Sequence, residues 1–430
     1  MKAFRGSILH CLADPGEQST PSAWEYFQDG LLVVDDGIVQ AVGDAEPLLR
    51  SLPAAAAVTD YRGKLMVPGF IDCHVHFPQL DIIGSFGAQL LDWLNQYAYP
   101  AEAKFADSDH AREAAVAFVD ELLRNGTTTA LVFGTVHAHS ADAIFEAAAA
   151  RNMRLVAGKV LMDVNCPEEL RDDPQSAYAD SKSLIEKWHG RERLGYAITP
   201  RFALTSSADQ LRAAGRLAAE YPDVWIHTHL AENMDEVEEI ARLFPGNRSY
   251  LDVYDSFGLL RDRAVFAHCL HMDGEDRDCM ASKGGAAAFC PTSNLFLGSG
   301  LFDLHAMRAA GVSCGLGTDV GGGTSLSMLK TASEAYKVLH LRDQALPAMQ
   351  ALYLATLGAA EALRLDDRIG NFAVGKEADF VVLDCAGSSL AARRCAAAES
   401  IEEKLFALLT LADDRHVAAT HVFGNVVPLY

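Results

Sequence analysis

The chain has 430 residues, half of them hydrophobic, and a formal net charge of −22 from 58 acidic and 36 basic side chains. This length and composition are typical of a globular protein with a large core. The strong negative charge argues against binding to nucleic acid or an anionic membrane, and the sequence has no apolar run long enough to span a membrane. The nine cysteines follow no repeating spacing, and the N-terminal stretch makes no signal peptide, so we expect reduced thiols and a cytoplasmic protein.

Short β-type segments lie near both ends of the sequence. Two apolar runs flank the turn signal DDG at residues 35–37, which predicts a hairpin. Residues 374–384 and 421–430 again have the pattern of short strands with glycine turns. We therefore expect residues 1–66 and 374–430 to pair into one small β-sandwich domain.

Between these segments, over residues 67–373, helical and strand patterns alternate. Apolar residues keep helical spacing in the stretch that opens at Ser108 and closes at Gly126. Eight strands are predicted in alternation with helices, at residues 65–76, 127–133, 154–162, 194–202, 224–229, 264–268, 285–290 and 312–319. Strands in this number and order predict an α/β fold of the (β/α)8 TIM barrel type.

In such barrels the reacting groups lie at the C-terminal ends of the strands. His74 and His76 end the first predicted strand, and residues two apart in an extended chain point to the same face. Three further strands also end in side chains that can bind a metal: His227 and His229, His268, and Asp319. Because four strands bring imidazoles and a carboxylate to one rim, the sequence predicts a metal site there.

Some of these residues also have an ordinary structural explanation. His227 and His229 alternate on the same strand, so either could be the ligand and the other an oriented neighbour. Asp319 could cap the following helix. Glu232, three residues after His229, could be one of several solvated glutamates in the first turn of a helix.

Three other histidines have weaker claims to the site. His137 and His139 form a second pair two residues apart, near the end of the second strand, where a surface loop explains them as well. His271 follows His268 by three residues and is better explained as a loop residue.

The motifs at these positions resemble the metal-dependent amidohydrolase superfamily and, within it, the guanine deaminase family, over essentially the whole chain. The superfamily motifs are PGFIDCHVH, HTHLAEN, AHC and GLGTD, followed by GNFAVGKEADFVVLD near the C-terminus. The narrower motifs are HFPQ, LDWLNQYAYPAE, ITPRFALT, CPTSNLFLGSG and GTDVGGGTSLSML. The resemblance implies a distorted TIM barrel with a small β domain, one zinc ion per subunit, a homodimer, and hydrolysis of guanine to xanthine and ammonia in purine catabolism.

The resemblance also implies a role for individual residues of this sequence. The implied metal ligands are His74, His76, His229, His268 and Asp319. The implied catalytic residues are Glu232 as proton shuttle, His268 and Asp319. The implied substrate-binding residues are Gln79, Leu91, Trp93, Arg201 and Phe202, together with Glu232 and His268.

The chemistry of guanine deamination agrees with this set. Replacing the amino group at C2 requires hydroxide, and binding to zinc lowers the pKa of water from 15.7 to about 7. It also requires a carboxylate that moves protons to the ring and to the leaving amine, a role that Glu232 suits. Iron or another divalent metal is also compatible with a mixed imidazole and carboxylate site.

Three alternatives bear on the activity. A deaminase of another purine, a pterin, cytosine or a triazine would use the same scaffold.

An enzyme that opens a cyclic amide would also use this scaffold. Such relatives commonly hold two metals bridged by a lysine from the fourth strand, and residues 194–202 contain no lysine. A non-catalytic scaffold would have lost ligands, yet every expected ligand is present. The unrelated zinc deaminases with a P-C-x-x-C motif are excluded, because the sequence lacks that motif.

Overall fold

A nearly closed barrel of eight parallel strands forms the larger of two sheets in the computed structural model, which describes residues 1–87 and 89–428. Its strands are Phe70–His76, Thr127–Phe133, Arg154–Gly158, Leu194–Pro200, Trp225–Leu230, Ala264–His268, Ala286–Phe289 and Ser313–Leu316, with the short strand Val160–Leu161 beside the fourth. Almost every residue of these strands is buried, as in parallel sheets covered on both faces. The predicted barrel and its strand order are confirmed.

The first predicted strand, residues 65–76, is divided in the structure. Ala57–Pro68 belongs to the other sheet, and the barrel strand begins only at Phe70. Gly69 separates the two strands, and a side chain there would collide with Thr128. A continuous apolar run therefore serves two sheets, which sequence periodicity alone does not separate.

Helices alternate with the barrel strands. The longer helices of this part are Ser108–Arg124, Ala138–Ala150, Pro174–Trp188, Ala208–Glu220, Met234–Leu243, Tyr250–Ser256, Gly274–Ser282, Pro291–Phe296 and Leu304–Ala310. Three short helical segments, Leu90–Trp93, Leu94–Ala98 and Tyr99–Ala103, follow the first strand. The predicted helix that opens at Ser108 is confirmed, with its spaced apolar residues buried and a left-handed Gly126 just beyond its end. Among the described residues, no helix is long and apolar enough to cross a membrane.

The second sheet is built from both ends of the sequence, as predicted. Its seven strands, in spatial order, are Asn425–Val426, Val417–Val422, Phe380–Leu383, Ala57–Pro68, Lys2–Cys11, Trp24–Asp35 and Ile38–Asp44. All neighbours are antiparallel except Lys2–Cys11 and Ala57–Pro68. The predicted hairpin turns at Asp36 and Gly37, which both have positive φ. The last two residues of the predicted strand at 421–430 lie outside the described residues.

The chain divides into two compact units. One comprises residues 1–72, 120–129 and 327–430, and the other residues 73–119 and 130–326. The described part of the first unit also contains helix Ala45–Ser51 near its N-terminus and helices Met328–His340, Ala348–Ala355, Leu357–Ala362, Ser389–Ala396 and Ile401–Leu411 towards its C-terminus. Tyr336 packs on Phe406 with a distance of 5.0 Å between ring centres. The domain boundaries at residues 66 and 373 stay a prediction.

Candidate metal centre and ligand pocket

Four ligand-type side chains converge at the C-terminal ends of the barrel strands. His74, His76, His229 and Asp319 are all buried, and their donor atoms lie within 4.8 Å of one another. The Nε2 atom of His76 is 3.2 Å from the Nε2 atoms of both His74 and His229. The Oδ1 atom of Asp319 is 3.1 Å from the Nε2 atom of His74 and 3.3 Å from that of His76. Three imidazoles and a carboxylate directed at one point are a donor set that fits a divalent transition metal such as zinc.

The backbone holds the two ends of this cluster together. The N–H of Asp319 donates to the carbonyl oxygen of His74 at 2.8 Å, and the N–H of His76 donates to that of Val320 at 2.9 Å. Asp319 has a left-handed backbone, with φ of 50°. The Asp319 carboxylate therefore lies in the cluster directly after the eighth strand, and it does not cap a helix.

The structure distinguishes the two histidines of the fifth strand. The Nδ1 atom of His229 lies 2.6 Å from the carbonyl oxygen of Arg201. A carbonyl only accepts, so Nδ1 carries the proton and Nε2 keeps its lone pair for the cluster. The Nε2 atom of His227 instead lies 2.8 Å from the Nδ1 atom of His74. His229 is the cluster member, and His227 is the buried neighbour that orients His74.

The pKa values of two carboxylates in the site are shifted in opposite directions. Burial raises the pKa of Glu232 well above its ordinary value, and the nearby charges of Asp319 and Glu236 add to that effect. Burial alone would also raise the pKa of Asp319, but His74 and His76 beside it hold that pKa well below its usual range. One group thus favours the protonated form and the other the ionised form, the division expected for a proton carrier beside a ligand.

His268 lies next to the four-residue cluster and is not one of its members. Its Nδ1 atom accepts a hydrogen bond from the side-chain amide of Asn294 at 2.9 Å, so in the neutral ring the proton is on Nε2. That Nε2 atom is 3.4 Å from Glu232 and 3.8 Å from Asp319. Burial lowers the pKa of His268 to about 3. This geometry describes a neutral hydrogen-bond donor; its predicted role as a fifth metal ligand stays a prediction.

A buried network supports the segment that carries Glu232. Helix Met234–Leu243 begins with a capping box in which Asn233 and Glu236 bond each other's backbone. The Glu236 carboxylate accepts from the backbone N–H of Glu232 at 3.1 Å and from the hydroxyl of Tyr250 at 2.6 Å. Burial raises the pKa of Glu236 to about 7. The backbone position of Glu232 therefore depends on a second buried carboxylate.

The cluster opens into a small cavity that combines an apolar wall with a few convergent polar side chains, the make-up typical of small-ligand sites. The predicted Gln79, Trp93, Arg201 and Phe202 line its wall. The rest of its polar side chains are His76, His229, Glu232 and Asp319. Ser299 donates from its hydroxyl to Glu232 at 3.2 Å.

The predicted Leu91 does not line this cavity, and its role in substrate binding stays a prediction. Leu90, Trp93 and Leu94 line the cavity, whereas Leu91 is half-buried and does not. Residues 90–98 are helical, so positions i, i+3 and i+4 share a face and position i+1 points elsewhere.

One residue of the site was not predicted. Glu102 is 1% exposed and contacts both Gln79 and Arg201. Its only sequence signal is its place at the end of the motif LDWLNQYAYPAE.

The remaining histidines lie outside the cavity wall in the part of the chain that the structure describes. His137 precedes helix Ala138–Ala150, and His139 lies 2.8 Å from the carbonyl oxygen of Phe105. His271 is in a loop, as predicted.

The sequence and the structure are both similar to known proteins of one family. The sequence pattern of the Amidohydrolase family matches residues 65–427. The chain is 50% identical to guanine deaminase of Escherichia coli (strain K12), covering 99% of this chain and 98% of that protein, and the structure of the E. coli enzyme superposes with a TM-score of 0.97 over 100% and 99% of the two chains. It is 44% identical to a probable guanine deaminase of Deinococcus radiodurans, over 99% and 98% of the two chains. The structure of guanine deaminase from C. acetobutylicum with bound guanine in its active site is 28% identical and matches with a TM-score of 0.90, over 99% and 100% of the two chains.

Proposed function

Because this chain belongs to the amidohydrolase family and, within it, to the guanine deaminases, we propose that its site hydrolyses guanine to xanthine and ammonia. The observation that carries the proposal is the buried cluster of His74, His76, His229 and Asp319, the last three of which line one cavity with Glu232. Full-length similarity to guanine deaminases supports the choice of guanine.

The four cluster residues would hold one divalent metal, and zinc is our proposal for it. The arrangement of the side chains supports this assignment, because the lone pair on the Nε2 atom of His229 is fixed by the hydrogen bond of its Nδ1 atom to Arg201. A zinc ion bound there supplies acidity, lowering the pKa of a coordinated water to about 7.

Glu232 moves the protons of the reaction. At C2 of guanine a bond to oxygen forms and the bond to nitrogen breaks, while protons pass from the attacking water to the ring nitrogen N3 and to the departing amine. Glu232 accepts each proton and returns it, and its raised pKa makes the protonated state accessible. The Nε2–H of His268, 3.4 Å from Glu232, donates to the oxygen that develops negative charge at C2.

Gln79 and Arg201 hold the purine. A guanidinium donates to acceptors, and guanine presents O6 and N7 as acceptors on one edge. Adenine carries an amino group at position 6, so the guanidinium would face a donor there and binding would be disfavoured. Trp93 and Phe202 supply apolar wall for the ring.

The decisive assay follows the loss of guanine absorbance by purified protein, with metal content measured in parallel and adenine, cytosine and a triazine as control substrates. We expect xanthine and ammonia from guanine alone. Turnover of another ring in place of guanine would favour the alternative deaminases. No turnover in a metal-replete sample would contradict the proposed reaction.

The proposal extends to a cytoplasmic homodimer that acts in guanine catabolism. All nine cysteines are free thiols, which supports a reducing compartment. Light scattering of the purified protein tests the dimer, and a monomer in that measurement would contradict it.

A further inference from the structure

Glu102 lies behind the purine-binding wall and joins its two polar residues. Its carboxylate accepts hydrogen bonds from the Nη1 atom of Arg201 at 2.8 and 2.7 Å and from the Nε2 atom of Gln79 at 2.8 Å. Arg201 and Glu102 are 2% and 1% exposed. One buried carboxylate therefore contacts both side chains that recognise the substrate in the proposed function.

The contacts of Gln79 fix which way its amide faces. An ionised carboxylate only accepts, so the amide nitrogen must face Glu102. The amide oxygen then accepts from the backbone N–H of Gly321 at 3.1 Å. Two neighbours of opposite hydrogen-bonding type thus select one orientation, and the other would place acceptor against acceptor and donor against donor.

The same carboxylate neutralises and orients Arg201. Among the described residues, the guanidinium makes its side-chain hydrogen bonds through Nη1 alone, so its other N–H groups are available to a ligand. The centre of the guanidinium lies 5.2 Å from the ring of Tyr99, which sits one helical turn before Glu102 in segment Tyr99–Ala103. A buried guanidinium paired in this way adds no net charge to the wall.

From these contacts we infer that Glu102 is a positioning residue that sets the specificity of the pocket: it fixes the Gln79 amide and offsets the Arg201 charge, so that the wall selects a neutral purine over an anionic one. The inference rests on the proposed function. Glu102 acts through its two neighbours, and the metal cluster does not depend on it.

The test is a pair of measurements on Glu102→Gln. Urate has oxygen where guanine has its amino group at C2 and is an anion at neutral pH, so it reports the charge of the wall without being deaminated. We expect the KM for guanine to rise roughly tenfold or more, with kcat changing much less, and the inhibition constant of urate to fall. A residue with a purely structural role would weaken both ligands alike.

Two further variants separate charge from folding. Glu102→Asp keeps the charge and should keep the wild-type preference for guanine over urate. Asp172→Asn breaks another buried ion pair of the same compact unit, that of Lys159 and Asp172, away from the cavity wall, and should leave both constants unchanged. Equal weakening of guanine and urate in Glu102→Gln, or unchanged constants, would overturn the inference.

Failure of the proposed function would look different. A wild-type protein that does not turn over guanine contradicts the reaction, and a crystal structure of Glu102→Gln then tests the inference by itself. The inference predicts that the Arg201 guanidinium and the Gln79 amide move while His76 and Asp319 stay in place. Unmoved Arg201 and Gln79 side chains would overturn it.

Discussion

Two sides of one cavity differ in how their charges are balanced. On the metal side, His74, His76, His229 and Asp319 direct their donor atoms at a common point, an arrangement that fits a cation between them. On the wall side, the guanidinium of Arg201 already has its counter-charge in Glu102, at 2.7 Å. The metal side would receive its cation from solution, whereas the wall side has its counter-charge within the chain. Loss of metal should therefore remove catalysis while leaving the purine wall assembled.

Removing a metal ligand is the strongest test of that difference. For His229→Ala we expect the metal content per chain to fall close to zero and guanine turnover to disappear, because the remaining donors no longer surround an ion. Guanine binding, measured by titration calorimetry, should persist. Complete loss of binding along with the metal would show that the two sides are not independent.

Glu232→Gln should remove proton transfer while leaving both the metal side and the purine wall intact. We expect kcat to fall by roughly 10²–10⁴, the usual contribution of a positioned acid or base, with metal content unchanged. Steady-state kinetics and metal analysis of the same preparation measure this. Turnover of guanine at nearly the normal rate would refute the proton-shuttle role.

Glu236→Gln tests the carboxylate beneath the Glu232 backbone. The pKa of Glu236 rises from 4.5 in the unfolded chain to about 7 in the folded one because of burial. Between these values the folded state holds the proton that the unfolded state has released, so this group makes the protein less stable as pH rises, by about 3 kcal/mol in all. Unfolding at pH 5 and pH 8 should show a smaller decrease for the variant than for the wild type. An identical decrease would contradict this account.

The smallest effect is expected for an ion pair outside the cavity. Lys64 and Asp384 form a pair in which both side chains are about 30% exposed, at 31% and 29%. For Lys64→Met we expect the free energy of unfolding to change by no more than about 1 kcal/mol, since solvent screens such pairs. Its guanine kinetics should match the wild type. A decrease in the free energy of unfolding as large as that expected for a buried ion pair would contradict this prediction.

Regular geometry made the metal side predictable. His74 and His76 are two residues apart on a strand, and strands of a parallel barrel end at one rim, so spacing alone brings distant residues together. The choice between His227 and His229 was beyond this reasoning, because both share the same alternation. It depends on the carbonyl oxygen of Arg201, which only the fold places beside His229.

The wall was predicted less completely, for two physical reasons. Leu91 was assigned to it from the resemblance, and a motif does not give the helical register that decides which side chains of residues 90–98 face the cavity. Glu102 was missed because its partners are 23 and 99 residues away in sequence. A lone glutamate in an apolar helical segment carries no periodic signal of such a network.

The backbone bonds between the Asp319 segment and the first barrel strand also bear on how the protein matures. Since the cluster joins residues from the start and the end of the barrel, a nascent chain cannot assemble it until almost the whole barrel has been synthesised. Contacts between residues far apart in sequence carry a large entropic cost of loop closure and slow folding. A chain that ends before Asp319 therefore cannot form the four-residue cluster, however well its first seven barrel strands are made.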